Sequence, residues 1–301
     1  MRLGPEFTDF DIETDTDVTI HGVQGGSGPP LLLLHGFPQT HLIWNKVASP
    51  LAKSYTVVAI DLRGYGASSK PHGDDKHIAY SKRVMARDCV RVMERLGHSR
   101  FFLCGHDRGA RVAHALLTTY PSAAIKAVFL DISPTLKMFD STDQHLATAY
   151  YHWFFLIQPS PFPEDMILAS PRLFAEKSLL GLTATSIDLF GADAFAAYVA
   201  GLSTPASVHA MCEDYRAAAT VDLDDARADE REGRRIGCPL RVLWGAKGVI
   251  EKCFDAVKDW SEVAEEGMVD KGSRAVGSGH YIPEEVPEEL LGHVKEFLVD
   301  G

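Results

Sequence analysis

Residues 101–111, Phe-Phe-Leu-Cys-Gly-His-Asp-Arg-Gly-Ala-Arg, constrain the fold of this chain more than any other stretch. An apolar run, then Gly-x-Asp-x-Gly, then a helix-forming segment predicts a buried strand turning sharply into a helix, with Asp107 at the apex. Gly105 and Gly109 flank the apex, where only small residues let strand and helix approach closely. A hydrolase of esters carries serine at such an apex; this chain carries a carboxylate.

The rest of the chain has the rhythm such an apex requires. Val18–Val23, Leu31–Leu34, Tyr55–Ile60, Ala127–Leu130 and Leu240–Trp244 read as strands, and the continuously apolar ones predict a sheet covered on both faces. Helical spacing runs over Leu42–Leu51, over Ser81–Leu96 with Gly97 as a stop signal, and over Phe254–Val263 and Pro287–Val299. A last strand is expected near Met268. This alternation predicts an α/β architecture with a mostly parallel, doubly wound sheet. From Leu136 to about Arg235 the rhythm breaks into helical, aromatic-rich sequence without a short β-branched strand. The expected division is a core of residues 1–135 and 236–301 and an all-helical cap of 136–235, with the charged stretch Asp222–Arg235 as solvated helix surface and return linker.

A length of 301 residues suits one catalytic domain with an insertion. A formal charge of −11 argues against nucleic acid or an anionic membrane as a partner, so an anionic small molecule would have to be drawn by local arginines. The cysteines at 89, 104, 212, 238 and 253 show neither paired nor metal-ligand spacing and read as reduced thiols of a cytoplasmic protein with no metal and no cofactor. Residues 1–11 lack the hydrophobic stretch of a signal peptide.

In open α/β sheets reactive groups collect at the carboxyl ends of the strands. Phe37, Asp107, Asp131 and His280 occupy such ends, and Asp107, Asp131 and His280 follow the chain order of a nucleophile–acid–histidine triad. Asp131 closes the strand after the apex helix, whereas the strand ending at Trp244 is followed by no carboxylate until Glu251. A carboxylate nucleophile suits attack on an sp³ carbon, giving an alkyl ester that water can hydrolyse. That implies halide displacement or epoxide opening, with His280, oriented by Asp131, activating the water. The backbone N–H groups of Phe37 and Arg108 are placed to hold the resulting oxyanion. Arg108 and Arg111 lie within one helical turn of Asp107 on an otherwise small, apolar helix, as a bidentate clamp for a substrate carboxylate.

The segment Gly105–Arg111, the motif His35-Gly36-Phe37-Pro38, Asp131, the pair His152-Trp153, Tyr215 and His280 together resemble a fluoroacetate (haloacetate) dehalogenase over nearly the whole chain. The resemblance implies an α/β-hydrolase fold, the triad and arginine roles above, His152, Trp153 and Tyr215 as halide-binding donors, and a homodimer. Imidazole, indole and phenol are reasonable donors, because a strongly hydrated fluoride needs several hydrogen bonds in a dry site. An epoxide hydrolase is the alternative, with Tyr150, Tyr151 or Tyr215 as acids; the paired arginines count against it and against a haloalkane dehalogenase. A non-catalytic ligand receptor would not need the water-activating histidine.

Overall fold

The computed structural model describes residues 3–181 and 184–299. Its strands are β1 (Thr8–Asp15), β2 (Val18–Gly26), β3 (Pro30–Leu34), β4 (Thr56–Ile60), β5 (Phe101–His106), β6 (Ala124–Leu130), β7 (Leu240–Gly245) and β8 (Arg274–Val276). They form one sheet in the order β1-β2-β4-β3-β5-β6-β7-β8. β2 runs antiparallel to β1 and β4, and every pairing from β4 through β8 is parallel. The expected α/β class with a mostly parallel sheet is what the chain forms.

The physical reason is visible in β5 and β3. Every residue of β5 is buried, as is the run Leu31–Leu34 of β3, because helices cover both faces of a parallel sheet. The helix Lys82–Arg95 begins at Ser81, whose hydroxyl accepts from the Val84 N–H at 3.3 Å, and ends before Gly97 at φ +87°. It packs against the helix Arg108–Thr119 that leaves β5. Between β6 and β7 the described residues hold helices and no strand.

Several local expectations are corrected. The stretch Leu42–Leu51 is a 3₁₀ turn at His41–Trp44 and a separate short helix at Ala48–Ala52, since Pro50 has no N–H to donate and is tolerated only in the first turn of a helix, not inside one running from residue 42. The last strand is not at Met268. Val269 makes only an isolated bridge to Leu240, and β8 lies at Arg274–Val276, where it pairs with β7. β1 was not foreseen; its alternating charged and apolar residues are those of an edge strand with one wet face. Asp222, expected in a solvated stretch, is buried, and its carboxylate faces Lys82 Nζ at 3.3 Å.

Because β3, β5, β6 and β8 are parallel, their carboxyl ends open on one edge. Register carries this to single residues: Leu34 pairs with Gly105, His106 with Leu130 and Gly245 with Val276. Phe37, Asp107, Asp131 and His280, which follow these ends, therefore share one edge.

Candidate active site

The turn that carries Asp107 is strained. Asp107 has φ 46° and ψ −115°, and Asp131 has φ 53°, both in a region that side-chain-bearing residues rarely adopt. Close packing holds the turn in place: a Cβ at Gly109 would lie 2.4 Å from the His35 carbonyl oxygen, and one at Gly105 2.7 Å from Ala110 Cα. The sequence reading of these two glycines is thereby explained by backbone contact.

The Phe37 N–H donates to Asp107 Oδ2 at 3.0 Å. His35 shapes that loop, with Nε2 accepting from the Leu62 N–H at 3.0 Å and Nδ1 at 2.8 Å from the Gly36 carbonyl oxygen. A Cβ at Gly36 would stand 2.6 Å from Asp107 Cβ and 2.8 Å from its Oδ2. Gly36→Ala should therefore displace the Asp107 carboxylate and cut kcat/KM by about 10²-fold, since ~1 Å of misplacement costs that much. A paired kinetic and thermal-melt measurement checks it; unchanged kcat/KM in a folded variant would contradict the geometry.

His280 Nδ1 lies 2.5 Å from Asp131 Oδ2, and Asp131 Oδ1 accepts from the Gly245 N–H at 2.9 Å. Both carboxylate oxygens are thus engaged, which fixes the imidazole ring. His106 supports the same loop, its Nε2 2.8 Å from the His280 carbonyl oxygen. Burial would lower the His280 pKa, but the hydrogen bond and charge of Asp131, with Asp107 behind them, raise it above the ordinary imidazole value. Burial would likewise raise Asp107; the nearby His280, His106, Arg108 and Arg111 outweigh it and hold the carboxyl down to about 2. Asp107 is therefore an anion at neutral pH.

The two arginines are not equivalent. Arg108 is fully buried and already carries a carboxylate: Nε donates to Asp214 Oδ2 and Nη2 to Asp214 Oδ1, both at 2.9 Å, and Nη2 also to the Asp214 carbonyl at 2.7 Å. Only its Nη1 is buried without a partner. Arg111 donates through Nη1 to Thr135 Oγ1 at 2.8 Å and to the Ser133 carbonyl at 3.2 Å, while Nη2 contacts Met138 Sδ at 3.1 Å and Nε has no partner. Burial, followed by the charge of Arg108, lowers Arg111 to about 10, so it stays a cation at neutral pH. Arg108 and Arg111, expected as a bidentate clamp for a substrate carboxylate, thus differ in how much of each guanidinium is already engaged. Asp214 occupies the fork of Arg108, leaving one free nitrogen on each guanidinium.

Aromatic side chains of the helices between β6 and β7 close over these groups. Tyr215, on the helix Pro205–Ala218, places its ring 4.2 Å from the Arg108 guanidinium, and Trp153, on the helix Tyr151–Leu156, places its ring 4.6 Å from that of Arg111. His152 stacks parallel to Phe37 at 6.3 Å between centroids, and Tyr215 meets Phe37 edge-on at 5.2 Å. Burial lowers His152 to about 3, so its ring is a neutral imidazole. The Tyr215 hydroxyl is buried and unpartnered, and burial together with the Asp107 charge pushes its pKa well up. Every residue anticipated for the site is gathered here, and none is more than 7% exposed, so charges inside are poorly screened. Tyr151, in contrast, is 49% exposed, at the outer edge of the cluster, where its ring meets that of His152 edge-on at 6.0 Å.

Sequence reading missed Asp214 and its other partners, Tyr65, whose hydroxyl donates to Oδ2 at 2.7 Å, and Lys82, whose ammonium meets Oδ1. The available signal was an acidic residue immediately before Tyr215 in a largely apolar helix. Among the described residues His21, His41 and Asp61 bring three possible metal-ligand atoms within 4.8 Å of one another. Asp61 is however occupied, accepting from the His41 N–H and from the Ala67 N–H, each at 2.9 Å, with His41 Nδ1 at 2.8 Å, which reads as a structural clasp. No helix among the described residues is long and apolar enough to cross a membrane.

A model of the alpha/beta hydrolase fold matches residues 29–185. The chain is 42% identical over 285 residues to a fluoroacetate dehalogenase of Burkholderia sp, covering 95% of this chain and 92% of that protein. It is 31% identical over 282 residues to a soluble epoxide hydrolase of Corynebacterium sp, covering 93% of each. A crystal structure of an alpha/beta hydrolase from Nostoc sp superposes with a TM-score of 0.93 at 48% identity, covering 98% of this chain and 99% of that one.

Proposed function

The chain belongs to the α/β-hydrolase family, and we propose that within it this protein is a hydrolytic dehalogenase that converts a haloacetate, fluoroacetate included, and water to glycolate and halide. One observation carries this reading above the others: Arg108 Nη1, Arg111 Nε and the Tyr215 hydroxyl are buried donors without partners around an ionised Asp107. Buried donors of this kind are costly unless something accepts from them. A substrate with a carboxylate at one end and a halogen at the other supplies both acceptors. A neutral epoxide or haloalkane would leave the arginines unsatisfied.

In the proposed sequence an Asp107 oxygen attacks the α-carbon and the carbon–halogen pair leaves as halide. Phe37 already holds Oδ2, which leaves Oδ1 to attack. His152, Trp153 and Tyr215 accept the departing halide as hydrogen-bond donors, and Arg108 and Arg111 hold the carboxylate. Water, deprotonated by His280 with Asp131 behind it, then attacks the Asp107 carboxyl carbon. Oδ2 becomes the oxyanion while already on the Phe37 N–H; the Arg108 N–H, first of its helix and free of an intrahelical partner, is the second donor. Each such donor contributes ~3 kcal/mol. Collapse expels glycolate, whose alkoxide oxygen takes the proton from His280, and the proton left on the Asp107 carboxyl passes to solvent, which restores the carboxylate. In this reading residues 136–235 form a cap that excludes water, core residues 1–135 and 236–301 carry the triad, and the enzyme works as a cytoplasmic homodimer.

The test is halide release from fluoroacetate, chloroacetate and a 1-haloalkane, run beside diol formation from styrene oxide. Halide from the haloacids is expected; no halide from either haloacid would sink the proposal, and diol formation would favour the epoxide reading. pH separates the two chemical steps. The alkylation burst needs ionised Asp107, held to about 2, so it stays constant across pH 5–9. Ester hydrolysis needs neutral His280, whose protonated form Asp131 favours, so steady-state turnover falls as pH drops through the His280 pKa of the ester intermediate. Esterification removes the Asp107 charge that helps raise His280, so the acid limb of ester hydrolysis lies below the His280 pKa of the free enzyme. Rapid-quench measurements across this range check it; a burst that falls together with turnover would contradict the assignment.

A further inference from the structure

Asp214 is fully buried, and its carboxylate is saturated from four directions. Oδ1 accepts from Arg108 Nη2 at 2.9 Å and from Lys82 Nζ, while Oδ2 accepts from Arg108 Nε at 2.9 Å and from the Tyr65 hydroxyl at 2.7 Å. Its carbonyl takes Arg108 Nη2 as well, at 2.7 Å, and Lys82 Nζ at 3.4 Å. All three donors belong to the sheet-forming part of the chain: Arg108 follows the turn after β5, Tyr65 the loop after β4, and Lys82 opens the helix Lys82–Arg95. Asp214 belongs to the helix Pro205–Ala218, which arrives from the segment between β6 and β7. Lys82 also faces Asp222 at 3.3 Å, so the buried cluster of two cations and two carboxylates is balanced in charge.

The consequence for Arg108 is geometric. A guanidinium is planar, with its five N–H donors in a fixed fork. With Nε and Nη2 committed to one carboxylate, the plane and tilt of the group are set, and Nη1 is the nitrogen left over, buried and unpartnered. The residue after Asp214 is Tyr215, whose ring lies 4.2 Å from that same guanidinium and whose hydroxyl is likewise unpartnered. One backbone step thus locates a donor proposed for the carboxylate and a donor proposed for the halide.

We propose that Asp214 is a positioning residue: it holds Arg108 so that Nη1 alone meets the substrate carboxylate, keeps the guanidinium off the Asp107 nucleophile, and locks Tyr215 in the matching place. Without the Asp214 charge, Asp107, which already feels the charge of Arg108, competes for the guanidinium, and an arginine on the nucleophile both blocks substrate and blunts its attack. This rests on the haloacid reading above, and it leaves the water-activating pair His280–Asp131 untouched.

Asp214→Asn should raise KM for chloroacetate at least tenfold and slow the single-turnover halide burst, with the rate constant for ester hydrolysis unchanged within twofold. A loss of fold would lower all amplitudes alike, so this split is what positioning predicts. Asp214→Asn placed in an Arg108→Met background should add no further rise in KM, because the effect travels through Arg108. Lys82→Met/Asp214→Asn removes one buried charge of each sign and so spares the fold the unbalanced cation; it should show the same rise in KM. A KM within twofold of wild type in either folded variant, or KM effects of Asp214→Asn and Arg108→Met that simply multiply, would overturn the proposal. Active wild type with an unaltered variant removes this inference alone. A wild type that releases no halide from chloroacetate removes the haloacid reading and this inference with it.

Discussion

Asp107→Asn is expected to abolish halide release from chloroacetate and fluoroacetate, with a fall of at least about 10⁴-fold in kcat, the scale seen when the nucleophile of a covalent mechanism is removed. The amide is nearly the same shape, so it can keep the 3.0 Å contact with the Phe37 N–H, and the fold should survive. What it loses is the negative charge that displaces the halide. The charge it removes is one that His280, Arg108 and Arg111 favour, so the fold loses some stabilisation, but Tm should move little compared with activity. Halide release and intact mass after substrate exposure check this. Turnover above about 1% of wild type would require a nucleophile other than Asp107.

His280→Ala separates the two halves of the same reaction. Alkylation does not use the imidazole, so the variant should release one equivalent of halide per site and then stop. The trapped species is an ester on Asp107, visible in intact mass as an added carboxymethyl group and mapped by peptide digestion to the segment that contains residue 107. Steady-state turnover should fall by about 10²–10⁴-fold, the usual contribution of a positioned general base. The raised His280 pKa, produced by Asp131 against the cost of burial, belongs to the free enzyme and disappears with the ring. A variant with neither burst nor adduct would argue against a covalent intermediate. A variant with full turnover would place the water-activating group elsewhere.

The two variants depend on features of different range. The apex at Asp107 is local, since the apolar strand, the flanking glycines and the following helix all lie within 101–119. The triad is assembled from three segments, yet its members could be located because each follows a strand signal in the order the sheet uses. The aromatic pair His152-Trp153 and Tyr215 were reached by resemblance rather than by pattern; an aromatic residue on a helix usually signals only core packing. The boundaries that went astray, the split at 41–52 and the strand at Arg274–Val276, lie where short elements are held by neighbours rather than by their own periodicity. β1 was hidden because an edge strand with a charged face lacks the apolar run that marks a central strand.

What the sequence by itself determined is the catalytic grammar: a carboxylate at a strained strand-to-helix apex, an acid and a histidine at later strand ends, and two arginines one turn into the same helix. These follow from local rules of strand, turn and helix, which act over a few residues. Only the tertiary structure decided how those arginines are used. Asp214 lies 106 residues beyond Arg108, and no periodicity couples them. Their meeting depends on how the helix Pro205–Ala218 docks against the sheet, and the energy that makes them meet is that of a buried charge that must be compensated. The sequence therefore offered two equivalent guanidiniums. The fold leaves one nitrogen on each, with Asp214 holding the first and Ser133, Thr135 and Met138 the second.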